Sequence, residues 1–213
     1  MEELNENIFK KIQNILGDMP DNLNVLEEQI DVNMQMEYFD FSKNHKEEFD
    51  PEELLEKKDN LFDDKTGIET KKHILSGLAS LENVEAYRAI EKYAKKPDTD
   101  LKDWAVLAYQ ESRMVLETHL LDENQVFIST GLGGKGKNLR YFLVLVYENP
   151  DEVSEAQKKL LKQEFEYVMK QFNGELEEVN YHEQFVTLLV LIPINIPVNT
   201  AIRKAIEEAN QYG

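Results

Sequence analysis

The chain has 213 residues, with 42 acidic against 24 basic side chains and no cysteine, which gives a formal net charge of −18. Its length allows one large domain or two small ones, and its 41% hydrophobic content is too high for a disordered chain. The missing cysteines exclude disulfides, thiolate catalysis and cysteine-based zinc sites. The acidic balance argues against free-standing nucleic-acid binding, which needs a basic face.

The sequence contains no segment typical of targeting or of membrane insertion. Its first twenty residues carry charges throughout, whereas a signal peptide has an unbroken apolar core. The longest apolar stretch, 185–198, is interrupted by Pro193, Asn195 and Pro197, and a transmembrane helix needs about 20 residues. We therefore expect a cytoplasmic protein that makes no membrane contact.

The N-terminal third carries most of the excess negative charge, because residues 1–65 hold 19 acidic and 7 basic side chains. A first helix is predicted there by apolar residues at helical spacing, namely Leu4, Ile8, Ile12, Ile15 and Leu16. Residues 30–38 alternate apolar and polar side chains, which predicts a half-buried strand, although Ile30 and Met34 also fit a helical stripe. A loop is predicted over 42–50, and Asp50 followed by Pro51 is typical of a helix start.

The middle of the chain is predicted to be helical. Residues 70–81 present an apolar face at helical spacing, and residues 84–94 continue with the same period, either in the same helix or after a break near residues 81–83. A turn at 96–100 then leads into the next helix with the buried-type residues Leu101, Trp104, Ala105, Leu107 and Ala108. Small alanines opposite large side chains favour close packing of the last two helices as an antiparallel hairpin.

Residues 84–117 contain a pattern of helices and turn that resembles a HEAT-type helical repeat. The shared features are a first helix, a short turn with Pro97 and Asp98, and a second helix with the spacing Trp104-Ala105-x-x-Ala108. Lys102 and Asp103 stand where the family usually has an arginine. The resemblance implies protein–protein interaction. Because a stable solenoid needs about 3 repeats and at most one and a half are visible, these helices must also pack against something else.

The last ninety residues have a different pattern. Strands are predicted at 126–130, 139–147, 175–181 and 185–192, with a long helix ending near 172 and a final helix over 200–210. Ser154 with Gln157 predicts a capping box for the long helix, and Asn199 is predicted to cap the final one. We therefore predict an α+β protein with an acidic, mainly helical region over 1–121. An antiparallel α+β sandwich of order β-β-α-β-β-α follows over 122–213, related in layout to ferredoxin-like domains.

A glycine-rich basic loop between the first two C-terminal strands is the segment with the clearest chemical content. Its candidate ligand-binding residues are Gly131, Gly133, Gly134, Lys135, Gly136, Lys137 and Arg140, and no acid occurs between Glu123 and Glu148. Glycine-rich loops bind phosphate through backbone N–H groups with a lysine adding charge, but the Rossmann and Walker loops open a helix and here a strand follows. The glycine-rich loop of protein kinases does join two strands, but the other kinase motifs are absent from this sequence. The loop is therefore either a hairpin connection or an anion site for a phosphate-bearing ligand or an acidic partner.

No catalytic constellation is apparent in the sequence. The four histidines, His45, His73, His119 and His182, are scattered without metal-binding spacing, and we predict neither a metal nor a cofactor. The leading prediction is a non-enzymatic intracellular interaction or adaptor module that binds a protein partner or a second copy of itself. The alternative is a domain, binding or enzymatic, that holds a phosphate-bearing small molecule in the loop from Gly131 to Arg140.

Overall fold

A computed structural model describes residues 23–45, 48–121, 126–149 and 153–211 of the chain. The predicted first helix at residues 4–16 lies outside this range. The chain divides into two compact units. One, the helical unit, spans Glu28–Gly131, and the other, the sheet unit, contains residues 23–27 and 132–211 of the described chain. The predicted boundary between residues 121 and 122 stays a prediction. Among the described residues, no helix has the length and apolar character needed to cross a membrane.

In its described residues, the helical unit contains five α-helices, two short 3₁₀ segments and one short strand. The α-helices are α1 (Val32–His45), α2 (Pro51–Lys57), α3 (Ile68–Ala79), α4 (Val84–Ala94) and α5 (Lys102–Leu121). The 3₁₀ segments are Lys58–Phe62 and Thr99–Leu101, and strand β2 (Val126–Ile128) follows the last helix. The predicted start of α2 is confirmed, because the Asp50 carboxylate accepts hydrogen bonds from the backbone N–H groups of Glu52 and Glu53.

The prediction of a strand over residues 30–38 is wrong, since α1 covers Val32–His45, and the predicted loop over 42–50 is wrong at residues 42–45, which belong to the same helix. The helix buries Gln35, Tyr38 and Ser42, which recur at spacings of three and four. Beside this buried face, Val32, Met36 and Phe39 are exposed. Because both the buried and the exposed sides of this helix carry apolar side chains, the sequence shows an apolar residue at every second position and imitates a strand.

The core of the helical unit includes polar groups held in specific pairs. Trp104 is 1% exposed, and its indole Nε1–H donates to Ser76 Oγ at 3.2 Å. The fully buried Tyr38 hydroxyl donates to the Glu111 carboxylate at 2.5 Å, and burial together with Glu111 raises the pKa of Tyr38 well above its usual value. These pairs satisfy buried polar groups that would otherwise destabilise the core.

The described part of the sheet unit contains a four-stranded antiparallel sheet, one further short strand outside that sheet, and two helices. Its strands are β1 (Leu23–Val25), β3 (Gly134–Lys135), β4 (Asn138–Val146), β5 (Glu175–Tyr181) and β6 (Phe185–Pro193), and its helices are α6 (Glu155–Gln171) and α7 (Val198–Gln211). The sheet order is β3-β4-β6-β5, so β6 lies between β4 and β5. The chain as a whole is therefore a mixed helix and sheet protein.

The two helices of the sheet unit cover one face of the sheet. Phe165, Val168 and Met169 of α6 and Ala201 and Ala205 of α7 are fully buried against alternate residues of β6. The capping box of α6 is confirmed, with Ser154 and Gln157 bonding each other's backbone N–H groups. The predicted cap of α7 is wrong, because Asn199 is the second residue of a helix that begins at Val198.

Candidate functional site

The glycine-rich loop forms a tight hairpin in the sheet unit. Gly134 pairs with Leu139 and Lys135 with Asn138, so Gly136 and Lys137 make a two-residue turn between β3 and β4. The φ angle of Gly136 is +59°, a conformation that favours glycine at the first position of such a turn. Gly131 belongs to the helical unit, whereas the other six predicted site residues belong to the sheet unit.

Close backbone approach explains a second glycine in this hairpin. A side chain at Gly134 would meet the Asn138 carbonyl oxygen at 2.2 Å and the Val25 side chain at 2.6 Å. The Val25 N–H donates to the Gly136 carbonyl at 2.9 Å, and the Arg140 N–H donates to the Gly133 carbonyl at 3.1 Å. The loop thus packs β1 against the hairpin and uses its carbonyl oxygens as acceptors.

Two of the three basic side chains of the loop are held by glutamates of β5. The Arg140 guanidinium donates from Nε and Nη2 to the two carboxylate oxygens of Glu177 at 2.5 and 2.9 Å, and from Nη1 to the carbonyls of Glu27 and Leu132. The hydrogen bonds from Arg140 hold the pKa of Glu177 below its usual value. Lys135 forms a more exposed pair with Glu175 at 3.1 Å. These acids lie 37 and 40 residues along the chain from their partners, so the loop's own sequence does not reveal them.

This geometry favours a structural role for the hairpin. A phosphate site needs converging N–H donors and cations that are not already bound to carboxylates. Here the Arg140 guanidinium is bound to Glu177 and to two carbonyls, and Lys135 is paired with Glu175. Phosphate binding at Gly131–Arg140 stays a prediction, and any such ligand has to compete with these two glutamates.

The sequence interpretation missed an apolar surface on the same strand. Along β4, Phe142, Val144 and Val146 point away from the helices and are 56%, 52% and 77% exposed. On the adjacent strand β6, Leu189 pairs with Phe142 and is half-buried. We call these four residues the open sheet face. The run from Leu139 to Tyr147 is almost entirely apolar, so its sequence predicts a strand but gives no sign that one of its faces is exposed.

Histidines and acids do not assemble into a metal centre in the part of the chain that the structure describes, where no group of three or more potential ligands occurs. The rings of His45 and His73 lie 6.0 Å apart between centroids and pack with Phe41 and Phe49. His119 pairs with Glu82, and His182 stacks on Phe185. Each histidine therefore has a local packing or pairing role.

Comparison with known proteins adds no relative to these observations. Neither the family models, nor the curated proteins, nor the solved structures include a match to this chain. Its function must be inferred from the geometry of its own residues.

Proposed function

We propose that this chain is a non-enzymatic, cytoplasmic protein-interaction or adaptor module, and that the open sheet face binds its partner. The observation that carries the proposal is the exposure of three large apolar side chains, Phe142, Val144 and Val146, on one side of one strand. Exposing apolar surface to water is unfavourable, and large contiguous apolar patches on a protein surface commonly mark interaction sites.

Charge around the open sheet face indicates the chemistry of the partner. Across the sheet, Glu178 lies beside Leu189 and Asn180 beside Thr187, and both side chains are exposed. The chain as a whole carries a formal charge of −18. A protein that presents apolar side chains flanked by lysine or arginine fits this surface best. A second copy of the chain fits less well, because both copies would carry the same net charge of −18 and repel each other.

The helical unit supports the same function through its resemblance to a HEAT-type repeat over residues 84–117. Support comes from α4 and α5, which pack together across the turn at Pro97 and Asp98. For the sheet unit, we propose an α+β sandwich of ferredoxin-like layout. Support comes from the succession β4-α6-β5-β6-α7 with β6 placed between β4 and β5. Fold alone does not fix function, so the proposal rests on the open sheet face.

Site-specific photo-crosslinking in cells tests the proposal. A benzoylphenylalanine replaces Phe142 in one variant and Tyr167 in a control, because Tyr167 is an aromatic residue of α6 with a similar exposure of 59%. We expect a protein adduct at position 142 that position 167 does not give. The purified adduct partner should then bind the wild-type chain and lose at least tenfold in affinity for Val144→Glu, because a charge replaces buried apolar contact.

Two results would contradict this function. One is the same pattern of adducts at both positions, which would mean that the open sheet face has no preferred partner. The other is unchanged binding of the purified partner to Val144→Glu. An adduct between two copies of the chain would instead assign the face to self-association.

A further inference from the structure

A cavity lies at the end of β4, and Val144 and Val146 of the open sheet face are among the residues that line it. Its volume is about 580 Å³, within the range of ~300–1,000 Å³ typical of small-molecule sites. The inner wall comes from β4, α6 and α7, and its apolar members include Leu145, Leu161, Phe165 and Ile206. We call this space the strand-end cavity.

One residue that lines the strand-end cavity has a polar group without a hydrogen-bond partner among the described residues. Tyr147 lines it, and the Tyr147 hydroxyl oxygen is buried with no hydrogen-bond partner among the described residues. The Tyr147 N–H donates to the Gln184 carbonyl at 3.1 Å, which fixes this residue at the end of the sheet. Leaving a buried hydroxyl unpaired is unfavourable, so its place on a residue that lines the cavity points to a ligand that supplies the acceptor.

Tyr147 is suited to donate rather than to accept. Burial raises the pKa of the Tyr147 hydroxyl above its usual value near 10, so the group stays protonated at neutral pH. A ligand oxygen placed within reach of this hydroxyl would receive its hydrogen bond, while the rest of the ligand would replace water along the apolar wall.

Charge at the cavity argues for an uncharged ligand. Among the lining residues that the structure describes, the charged ones are Lys158 and Glu148. The Lys158 ammonium already binds the Glu155 carboxylate at 2.6 Å, and Glu148 is exposed on the same side. An anionic head group would find no cation that is not already paired and would face a carboxylate. We therefore propose that the strand-end cavity binds a small, mostly apolar molecule that carries one uncharged hydrogen-bond acceptor, received by Tyr147. The proposal does not rest on the open sheet face, although Val144 and Val146 belong to that face and also line the cavity.

The assignment is tested by titrating the chain with two matched probes. Binding is monitored in NMR spectra through the amide resonances of Tyr147 and Ile206. The probes are 2-octanone, which has an uncharged acceptor, and octanoate, which has a similar chain and an anionic head. We expect 2-octanone to shift both resonances with higher affinity than octanoate. Tyr147→Phe should weaken its binding by roughly two- to tenfold, as for loss of one hydrogen bond. Tyr167→Phe is the matched control on an exposed tyrosine and should leave binding unchanged.

A filling variant tests the location of the site independently of the hydrogen bond. Ala209 is a half-buried lining residue, and Ala209→Phe should reduce 2-octanone binding at least fivefold by occupying the cavity. If Ala209→Phe does not fold, Tyr147→Phe still decides, because it removes only one oxygen. The proposal is overturned if 2-octanone shifts neither resonance up to its solubility limit, if Tyr147→Phe binds as wild type, or if octanoate binds more tightly than the ketone.

Discussion

The start of strand β4 and the open sheet face further along it both have surroundings that their sequence does not predict, but for different reasons. At the start, Arg140 carries the charge that suggests a ligand site, yet Glu177 and two carbonyl groups already bind its guanidinium. Further along, Phe142, Val144 and Val146 have the composition of a buried strand, yet they are exposed. A basic residue in the sequence is therefore not necessarily a free cation in the fold, and an apolar residue is not necessarily core.

The largest expected effect comes from comparing two phenylalanines on opposite faces of the same sheet unit. Phe165 is fully buried between α6 and the sheet, whereas Phe142 is 56% exposed on the other face. Phe165→Ala should destabilise the sheet unit by about 3–5 kcal/mol, because it removes buried area and leaves a cavity. Phe142→Ala should change its stability by no more than about 0.5 kcal/mol.

Hydrogen exchange of the β6 amide groups measures both effects within the sheet unit, apart from the helical unit. A decrease of more than about 2 kcal/mol in the unfolding free energy for Phe142→Ala would mean that this side chain is part of a core. The open sheet face would then not be a binding surface. A loss below about 1 kcal/mol for Phe165→Ala would contradict the assignment of the core to the helix-covered face.

Local signals in the sequence predicted several elements of the fold. Asp50 with Pro51 located the start of α2, and Ser154 with Gln157 located the start of α6, because each cap depends on residues within one turn. Residues 30–38 were misinterpreted because α1 has apolar side chains on both its buried and its exposed sides. In that case periodicity could not separate a helix from a strand.

The candidate site was harder to predict than the fold, because its determinants are distant in sequence. The position of the glycine-rich hairpin was evident, but the glutamates that bind Lys135 and Arg140 lie on β5. Exposure of Val144 and Val146 depends on which sheet face the helices cover, and an almost continuous apolar run carries no such information. The unpaired hydroxyl of Tyr147 likewise follows from tertiary packing alone.

A smaller effect is expected at the ion pair between Arg140 and Glu177, whose side chains are 14% and 21% exposed. Glu177→Gln should destabilise the chain by about 1–2 kcal/mol at neutral pH, since it weakens a bidentate, partly buried pair. The hydrogen bonds from Arg140 hold the pKa of Glu177 below its unfolded value, so this stabilisation is complete above the unfolded value, near ~4.3, and is lost as the pH falls through the folded value.

Urea denaturation followed by circular dichroism between pH 7 and pH 3 checks both the size and the sign of this effect. The difference in unfolding free energy between wild type and Glu177→Gln should be constant near neutral pH and should shrink as the solution becomes acidic. Glu175→Gln is the matched control, because its pair with Lys135 is about half exposed and should contribute no more than about 0.5 kcal/mol. A difference that grows with acidity would contradict the depressed pKa of Glu177.

The smallest expected effect concerns phosphate binding at the hairpin. Because glutamates already bind Lys135 and Arg140, we expect nucleotides, coenzyme A, phosphosugars and short polyanions to leave the melting temperature of the wild-type chain unchanged. The same screen on Lys135→Ala/Lys137→Ala should give the same result. A ligand present at 100 times its dissociation constant stabilises a protein by about 2.7 kcal/mol, which is an increase of several degrees and easily measured. An increase of that size in the wild type and its absence in the double variant would establish the hairpin as an anion site. It would also mean that the phosphate group outcompetes Glu175 and Glu177, and the contrast between the two parts of β4 would no longer hold.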